Sequence, residues 1–172
     1  MGKSRMSKRG LNSIRPSPFA IRCAAIALLA FSGVALADVA PPLSPPEAAI
    51  SNKALVTEMF QKMFVEKQVD KYADTYFAAD FVEHDPMAQN GTKALKAFFK
   101  DFNQQHPKSI TTVKRIAADG DLVFVHFHAQ NDAADRGVAG VDIFRIARGR
   151  VVEHWDVVQP IPEKSANDNT MF

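Results

Sequence analysis

The chain has 172 residues, which is room for one domain, and a formal net charge of +2. Its first 37 residues hold six of the 21 Lys and Arg but none of the 19 acids, so the remainder carries a net charge of −4. Nucleic-acid binding, which needs a basic stripe on the folded domain, is therefore excluded.

Residues 1–37 have the three parts of an export signal. Basic residues continue up to Arg22, an apolar run of 14 residues extends from Cys23 to Leu36, and Ala37 completes a small-x-small cleavage site. The run is shorter than the roughly 20 residues that span a bilayer, which argues against a membrane anchor. Arg22 directly before Cys23 does not fit a lipid-attachment sequence. We predict cleavage before Asp38 and a soluble mature protein, periplasmic or secreted, with no membrane contact.

The mature chain begins with a predicted spacer, residues 38–47, in which four of ten residues are proline. Such a composition favours an extended conformation. The folded domain is predicted over residues 48–172. Cys23 is the only cysteine of the chain and leaves with the signal. Thiolate catalysis, Cys-ligated zinc and disulfides are therefore excluded for the mature protein.

Three helices are predicted in the first half of this domain. The first starts at Pro46, carries apolar residues at steps of three and four, and ends at Gln68 to Asp70. A short second helix covers residues 69–77. The third starts with Thr92 as its cap, shows an apolar stripe at Leu95, Phe98, Phe99 and Phe102, and ends at His106-Pro107. Between the last two helices, residues 81–86 are predicted to be extended, because a residue before proline is disfavoured in a helix.

Strands and turns occupy the second half. Four strands are predicted, over residues 109–118, 122–130, 138–146 and 151–159, with a hairpin turn at Asp119-Gly120 and a polar loop over residues 131–137. Helices followed by a strand meander indicate an α+β domain, in which the helices pack on one face of a curved antiparallel sheet.

The last hairpin sets two carboxylates side by side. With the three-residue loop Arg148-Gly149-Arg150, Asp142 opposes Asp156 and Phe144 opposes His154, and directly opposed residues have Cβ atoms about 5 Å apart. This pairing is unfavourable unless something is bound, shared or protonated there. A two-residue loop would instead place Asp142 opposite Trp155.

Alternation along the strands divides the sheet into two faces. The mixed polar and apolar face is typical of a pocket and is predicted to contain Phe124, His126, His128, Asp142, Phe144, Ile146, Val152, His154, Asp156 and Val158. The other face is nearly all apolar and contains Val123, Val125, Phe127, Val141, Ile143, Val151, Trp155 and Val157. Because a monomer seldom exposes such a face, it packs either on the helices or on a second subunit, and we predict a homodimer through the face with Trp155.

The acids and histidines of the first face are candidate catalytic residues. A loop centred near Ala134 would put His126 in one row with Asp142 and Asp156. Two close carboxylates in an apolar setting have separated pKa values, so that one serves as acid and the other as base, and an imidazole can relay the proton. Proton abstraction beside a carbonyl needs these groups and no cofactor.

We assign Asp156 as general base and acid, Asp142 as its coupled partner, and His126, His128 and His84 as donors to the substrate oxygen. The substrate-binding residues are predicted to be His154, Phe124, Phe144, Phe98 and Phe64. The alternatives are ordinary ones: each histidine serves as a hydrogen-bonded core or rim residue, and the aspartates form salt bridges to Arg136, Arg145 or Lys114.

A metal ion would also reconcile two Asp with several His, since mixed imidazole and carboxylate ligands suit Zn, Mn or Fe(II). The chain has no tight ligand spacing of the HExxH kind, and His126-x-His128 alone is a weak signal. We therefore predict neither metal nor cofactor.

Several segments resemble the SnoaL-like branch of the nuclear transport factor 2-like superfamily. They are FVEHDPMAQNGTKALKAFF, DLVFVHFH, GVDIFRIARGRVVEHWDVVQPIPE and the terminal NTMF, and the resemblance covers about residues 50–172. It implies a cone-shaped α+β fold with a deep pocket, often dimeric through the sheet. In the polyketide cyclases of that family an Asp on the last strand is the acid/base, and Asp156 matches it. Those cyclases carry a His where this chain has Asp142, and an exported protein does not suit polyketide cyclisation.

From these observations we expect an exported, cofactor-independent acid/base enzyme acting on a small apolar carbonyl compound by aldol, enolisation, isomerase, hydrolase or dehydratase chemistry. The alternative is a non-catalytic small-molecule binding protein. Fold alone does not decide between them, because this superfamily includes both kinds of protein.

Overall fold

The computed structural model describes residues 45–172, an α+β domain in which three helices accompany a curved, unclosed sheet. The fold class predicted from the sequence is confirmed. The predicted signal, residues 1–37, and most of the predicted spacer, residues 38–47, lie outside the described residues. No described helix is long and apolar enough to cross a membrane.

The three helices follow the predicted order. Helix α1 (Pro45–Phe60) continues into a π-helical turn (Gln61–Val65), and α2 (Val69–Tyr76) and α3 (Thr92–Gln105) follow. Helix α1 therefore starts within the last residues of the predicted spacer. The prediction of Thr92 as the cap of α3 is wrong: Gly91 holds the cap position with φ 87°, and no side chain caps the helix. A side chain is disfavoured at that φ, which explains the glycine.

The sheet has five strands, one more than predicted. They are β1 (Phe77–Glu83), β2 (Ile110–Asp119), β3 (Leu122–Gln130), β4 (Val138–Ala147) and β5 (Arg150–Pro160), in the order β1-β5-β4-β3-β2. Strand β1 runs parallel to β5, and the other neighbours are antiparallel. The sequence marks only residues 81–86 as extended, because no local turn signal announces a parallel partner near the far end of the chain.

The core lies between the helices and one face of the sheet. Helix residues at steps of three and four meet the inward residues of β3, β4 and β5 there. The largest fully buried side chains are Val56, Met59, Phe60, Met63, Val69, Phe77, Phe81, Val123, Val125, Phe144 and Val151.

The β4–β5 hairpin has a shorter loop than predicted but the predicted register at its acids. The loop is Arg148-Gly149, whose φ values of 50° and 70° suit a two-residue hairpin turn. The prediction of a three-residue loop is therefore wrong. A register shift follows, since Ile146 pairs with Val151 and Arg145 with Glu153, which leaves Val152 as the extra residue of a β-bulge. The bulge restores the pairing of Asp142 with Asp156 and of Phe144 with His154.

The β3–β4 pair differs from the prediction by one residue. Val125, not His126, pairs with Asp142, and Ala129 pairs with Val138. A slip of one residue turns every side chain of a strand to the other face. The predicted division of the sheet into faces is therefore wrong for β3: Val123, Val125 and Phe127 face the helices together with Asp142 and Phe144, while Phe124, His126 and His128 face outward. It is also wrong for Val151, which lies before the bulge, pairs with Ile146 and is fully buried in the core.

Candidate active site

A cavity of about 470 Å³ lies in the domain between α3 and the helix-facing side of the sheet. Aromatic and aliphatic side chains make most of its wall, which gives an apolar chamber. This part of the lining consists of Phe64, Phe77, Phe81, Leu95, Phe98, Phe99, Phe127 and Phe144.

Gly140 makes room for one wall of this cavity. It pairs with Phe127 across β3 and β4, and a Cβ atom at Gly140 would stand only 2.2 Å from Phe127 Cζ. The tip of the Phe127 ring therefore occupies the space that a side chain at residue 140 would need. A glycine in a strand interior commonly marks such a close approach.

Two carboxyl groups on neighbouring strands enter the cavity together. Asp142 on β4 and Asp156 on β5 are directly paired, and both line the cavity. Asp142 is 9% exposed. Residues opposed in this way have Cβ atoms about 4.5 to 5.5 Å apart, which brings like charges close together.

A buried glutamate holds the only histidine that lines the cavity. His154 on β5 pairs with Glu83 on β1, and both carboxylate oxygens of Glu83 lie 2.9 Å from His154 Nδ1. The backbone N–H of Asp85 donates a further hydrogen bond, 3.0 Å long, to the same carboxylate. The other ring nitrogen, His154 Nε2, is buried and has no hydrogen-bond partner among the described residues. It lies 3.7 Å from Asp142 Oδ1, beyond hydrogen-bond length.

These contacts make His154 a stable cation. Burial opposes the charged ring, but the Asp142 and Glu83 carboxyl groups outweigh it and raise the pKa of His154 to about 10. Burial acts to raise the pKa of Glu83. The hydrogen bond from His154, together with its charge and the backbone hydrogen bonds to Glu83, outweighs burial, so the pKa of Glu83 is lowered. At neutral pH the pair is therefore an imidazolium with a carboxylate.

The two aspartates are shifted in the opposite direction. Burial raises the pKa of Asp142, and repulsion from Glu83 adds to it, against the attraction of His154. Burial also raises the pKa of Asp156, with further repulsion from Asp142. Each carboxyl group is thus more basic than a free aspartate, which is the property a general base needs near neutral pH.

The structure brings together six of the ten side chains that the sequence proposed for the site. Within the cavity lining are Asp142, Asp156, His154, Phe144, Phe98 and Phe64. The sequence predicted His154 only as a substrate-binding residue. Its positive charge, and an Nε2 atom that has no hydrogen-bond partner among the described residues, make it a candidate catalytic group together with the two aspartates. The roles assigned to these residues remain predictions.

The other four proposed residues lie on the outer face of the sheet. His126 and His128 pack against the ring of Phe172, with ring centroids 5.5 and 4.7 Å apart, and Phe124 pairs with Ile143. These three are turned outward by the one-residue slip between β3 and β4. His84 stacks on Trp155 with ring centroids 4.4 Å apart, because side chains alternate along the strand and Glu83 points inward.

Sequence reasoning missed Glu83 and Asp85 among the polar residues of the cavity. The signal was present in alternation: Phe81, Glu83 and Asp85 all line the cavity, at the period of two that a strand imposes. The alternation does not appear in the prediction, because residues 81–86 are predicted as an extended connection and not as part of a strand of the sheet.

Among the described residues, no group of three or more His, Cys, Asp or Glu is arranged to hold a metal ion. The ionisable groups that line the cavity are the four carboxyl groups of Glu83, Asp85, Asp142 and Asp156 and the imidazole of His154.

The comparisons with known proteins agree on one family and one fold. The sequence profile of the family described as SnoaL-like domain matches residues 56–154. No curated protein matches the chain significantly.

Solved structures with the same fold are numerous. A SnoaL-like protein of unknown function from Burkholderia thailandensis is 14% identical, with a TM-score of 0.56 over 65% of this chain and 98% of its own. A protein provisionally named a SnoaL-like polyketide cyclase, from Jannaschia sp. CCS1, is 20% identical, with a TM-score of 0.54 over 69% and 91%. One provisionally named an isomerase of the SnoaL-like family, from Agrobacterium tumefaciens, is 12% identical, with a TM-score of 0.53 over 64% and 98%. At these identities the similarity shows the fold alone.

Proposed function

The chain belongs to the SnoaL-like domain family, and on that premise we propose that it is a cofactor-independent acid/base enzyme that enolises a small apolar carbonyl compound. One observation carries the proposal: a paired Asp142 and Asp156 stand beside the Glu83–His154 ion pair at the polar end of an otherwise apolar cavity. The cyclase and isomerase names of two structural neighbours are in keeping with it, since aldol closure and double-bond migration both pass through an enolate.

Asp156 is the proposed base. It removes a proton from the carbon next to the carbonyl and then returns the proton either to the same carbon or to a different one. Its raised pKa, caused by burial and by Asp142, makes it a stronger base than a free aspartate.

His154 is the proposed donor to the substrate oxygen, in place of the outward-facing His126, His128 and His84. Glu83 occupies Nδ1, which leaves Nε2–H on the side of Asp142, whose Oδ1 lies 3.7 Å away. A positive charge fixed in an apolar chamber stabilises the negative charge that develops on an enolate oxygen. Because its pKa is about 10, His154 keeps its proton and acts through charge.

Asp142 is the proposed partner that tunes both groups. Its buried carboxyl group raises the pKa of Asp156 by repulsion and supports the charge of His154. The cyclases of the resembling family carry an imidazole at this strand position; here the imidazole comes from β5 and an acid takes its place on β4. The stereochemistry of the reaction is therefore expected to differ from theirs.

A non-catalytic binding protein is the second candidate. The fixed ion pair of Glu83 and His154 would orient a bound ligand equally well without any proton transfer. Deuterium exchange separates the two functions. We expect the protein to exchange deuterium into the α-positions of 4-phenyl-2-butanone in heavy water, and Asp156→Asn to abolish the exchange.

The control for this experiment is His126→Gln, a histidine on the same sheet that faces outward and contacts Arg115. It should exchange like the wild type, whereas His154→Gln should be strongly impaired. Tight ligand binding with no exchange in the wild type would instead establish the binding protein. Mass spectrometry of ligand that stays with the purified protein would identify the natural compound.

We further propose that the protein is exported and acts in the periplasm or outside the cell, on the basis of the signal-like composition of residues 1–37. N-terminal sequencing should find Asp38 at the start of the mature chain, and residues 1–37 intact on secreted protein would contradict export by cleavage. We also propose a homodimer through the outer face of the sheet, where Val157 is 71% exposed.

A further inference from the structure

The charged groups that line the cavity are almost all of one sign. Four carboxyl groups, those of Glu83, Asp85, Asp142 and Asp156, face it against the one imidazole of His154. Among the described residues, no Lys or Arg lines the cavity. Since His154 is already paired with Glu83, the other three acids determine which charge a ligand can carry.

Asp85 stands where the cavity opens. The adjoining apolar side chains are unusually exposed, at 89% for Met87 and 58% for Phe98, although both line the cavity. Exposed apolar groups around an opening are typical of a binding site. The mouth therefore combines apolar contact surface with a carboxylate.

The Asp85 side chain is held in place and has no cationic partner. The backbone N–H of Met87 donates a 2.8 Å hydrogen bond to Asp85 Oδ1, which leaves Oδ2 available. No salt bridge joins Asp85 or Asp156 to a Lys or Arg within residues 45–172. Repulsion from Asp85 is among the causes that raise the pKa of Asp156, after burial and Asp142.

A second acid lies deeper in the cavity. Asp142 is 9% exposed in the wall, and its carboxyl group lies 3.7 Å from Nε2 of His154, with which it forms an ion pair. The cavity thus has a negative mouth, an apolar body and an inner wall where Glu83, Asp142 and Asp156 outnumber the imidazolium of His154. An anion would be repelled at the mouth, and a neutral ligand would leave the Asp85 carboxylate without a cation.

We propose that the cavity selects a ligand with an apolar body and one protonated amine, and that Asp85 holds the ammonium group at the mouth with Asp156 beside it. The exposed ring of Phe98 supports the same charge, because a cation is attracted to an aromatic face. The inference rests on the cavity of the proposed function and narrows its substrate to an amine-bearing carbonyl compound. Fatty acids, phosphates and other anions are excluded by the same charges.

Three probes of similar size and different charge test this inference: 2-phenylethylamine, 2-phenylethanol and 3-phenylpropanoate, each titrated calorimetrically into the wild-type protein at pH 7. We expect the amine to bind at least about tenfold tighter than the alcohol, because one ion pair that is incompletely screened by water provides about that gain in affinity. The carboxylate should not bind. Added salt should weaken the binding of the amine alone.

The matched variants are Asp85→Asn and Asp80→Asn, which remove one charge each from the same region of the chain. Asp80 lies on β1 but is exposed and outside the cavity lining. Asp85→Asn should remove the preference for the amine, and Asp80→Asn should keep it. Equal binding of the three probes, tighter binding of the carboxylate, absence of amine binding, or an unchanged preference in Asp85→Asn would overturn the inference.

The same proteins distinguish this inference from the proposed function. Deuterium exchange into 4-phenyl-2-butanone without any preference among the three probes overturns only the charge selectivity. A preference for the amine in a protein that exchanges no ketone overturns only the enzymatic proposal and supports selective binding.

Discussion

Glu83 and His154 are paired residues of the parallel strands β1 and β5, and both Glu83 carboxylate oxygens lie 2.9 Å from His154 Nδ1. One residue beyond the end of β1, His84 Nε2 lies 3.2 Å from Glu153 Oε2. Strand β5 and the end of β1 thus carry a Glu–His contact on each face of the sheet, one within the cavity and one outside. The inner pair is shielded from water and the outer one is about one-third exposed, so the outer pair is a natural control for the inner.

Replacement of Glu83 by Gln should expose what the inner pair contributes. We expect the pKa of His154 to fall from about 10, and the free energy of unfolding to fall by about 1 to 3 kcal/mol, because a buried hydrogen bond to a charged group is lost. Histidine NMR titration and urea unfolding measure the two effects. Glu153→Gln, which removes the outer contact with His84 and the ion pair with Arg145, should cost below about 1 kcal/mol because both contacts are partly exposed. Equal effects of both variants would mean that burial does not strengthen the inner pair.

Asp156→Asn should separate activity from stability. Loss of the proposed base should lower deuterium exchange at least about 100-fold. Stability should change in the opposite direction: a carboxyl group whose folded pKa is raised destabilises the fold as pH rises above its unfolded value near 4. Removal of the charge should therefore leave the protein at pH 7 as stable as the wild type or more stable, by no more than about 1 kcal/mol because Asp156 is partly solvated. A clear loss of stability would show that the carboxylate is favourably paired, and would count against its assignment as base.

The stability of the domain should decrease between about pH 6.5 and pH 10. His154 has a folded pKa of about 10, whereas a free histidine has a pKa of 6.5, so in this window the folded state binds more protons than the unfolded state. The stabilisation is fully present below pH 6.5 and is lost as pH rises through the folded pKa, at up to about 1.4 kcal/mol per pH unit.

Urea unfolding at a series of pH values measures this slope. His154→Gln should flatten it, while His126→Gln, on the outer face, should leave it as it is. A wild-type stability that stays constant across the window would mean that His154 is neutral in the folded protein, and its proposed role as a fixed charge would fail.

The homodimer has its own test on the outer face of the sheet. Val157→Asp should convert the dimer to a monomer, since it places a charge among the apolar residues of that face. Val157 suits the test better than Trp155, because Trp155 is stacked against His84 and lies near Arg145. Sedimentation at micromolar concentration gives the assembly state, and a wild-type monomer there would remove the proposal.

The pairing of Asp142 with Asp156 is predicted correctly, although the predicted loop is wrong. The sequence placed Asp142 opposite Asp156 through a three-residue loop, whereas the actual loop has two residues and a bulge at Val152 makes up the difference. A turn can be anticipated from the residues within it, such as Gly149. A bulge depends on how the whole strand must bend over the core, and Val152 itself carries no local sign of it.

What the sequence by itself determined is the set of local elements. Its apolar periodicities, glycine turns and proline positions specify three helices and four of the five strands, because each depends on residues close together in the chain. Only the tertiary structure decided the rest. The register between β3 and β4 sent His126 and His128 outward, and the parallel pairing of β1 with β5 brought Glu83 to His154. Both are contacts between distant or loosely connected segments, whose register is selected by burial in the assembled core and not by any local conformational preference.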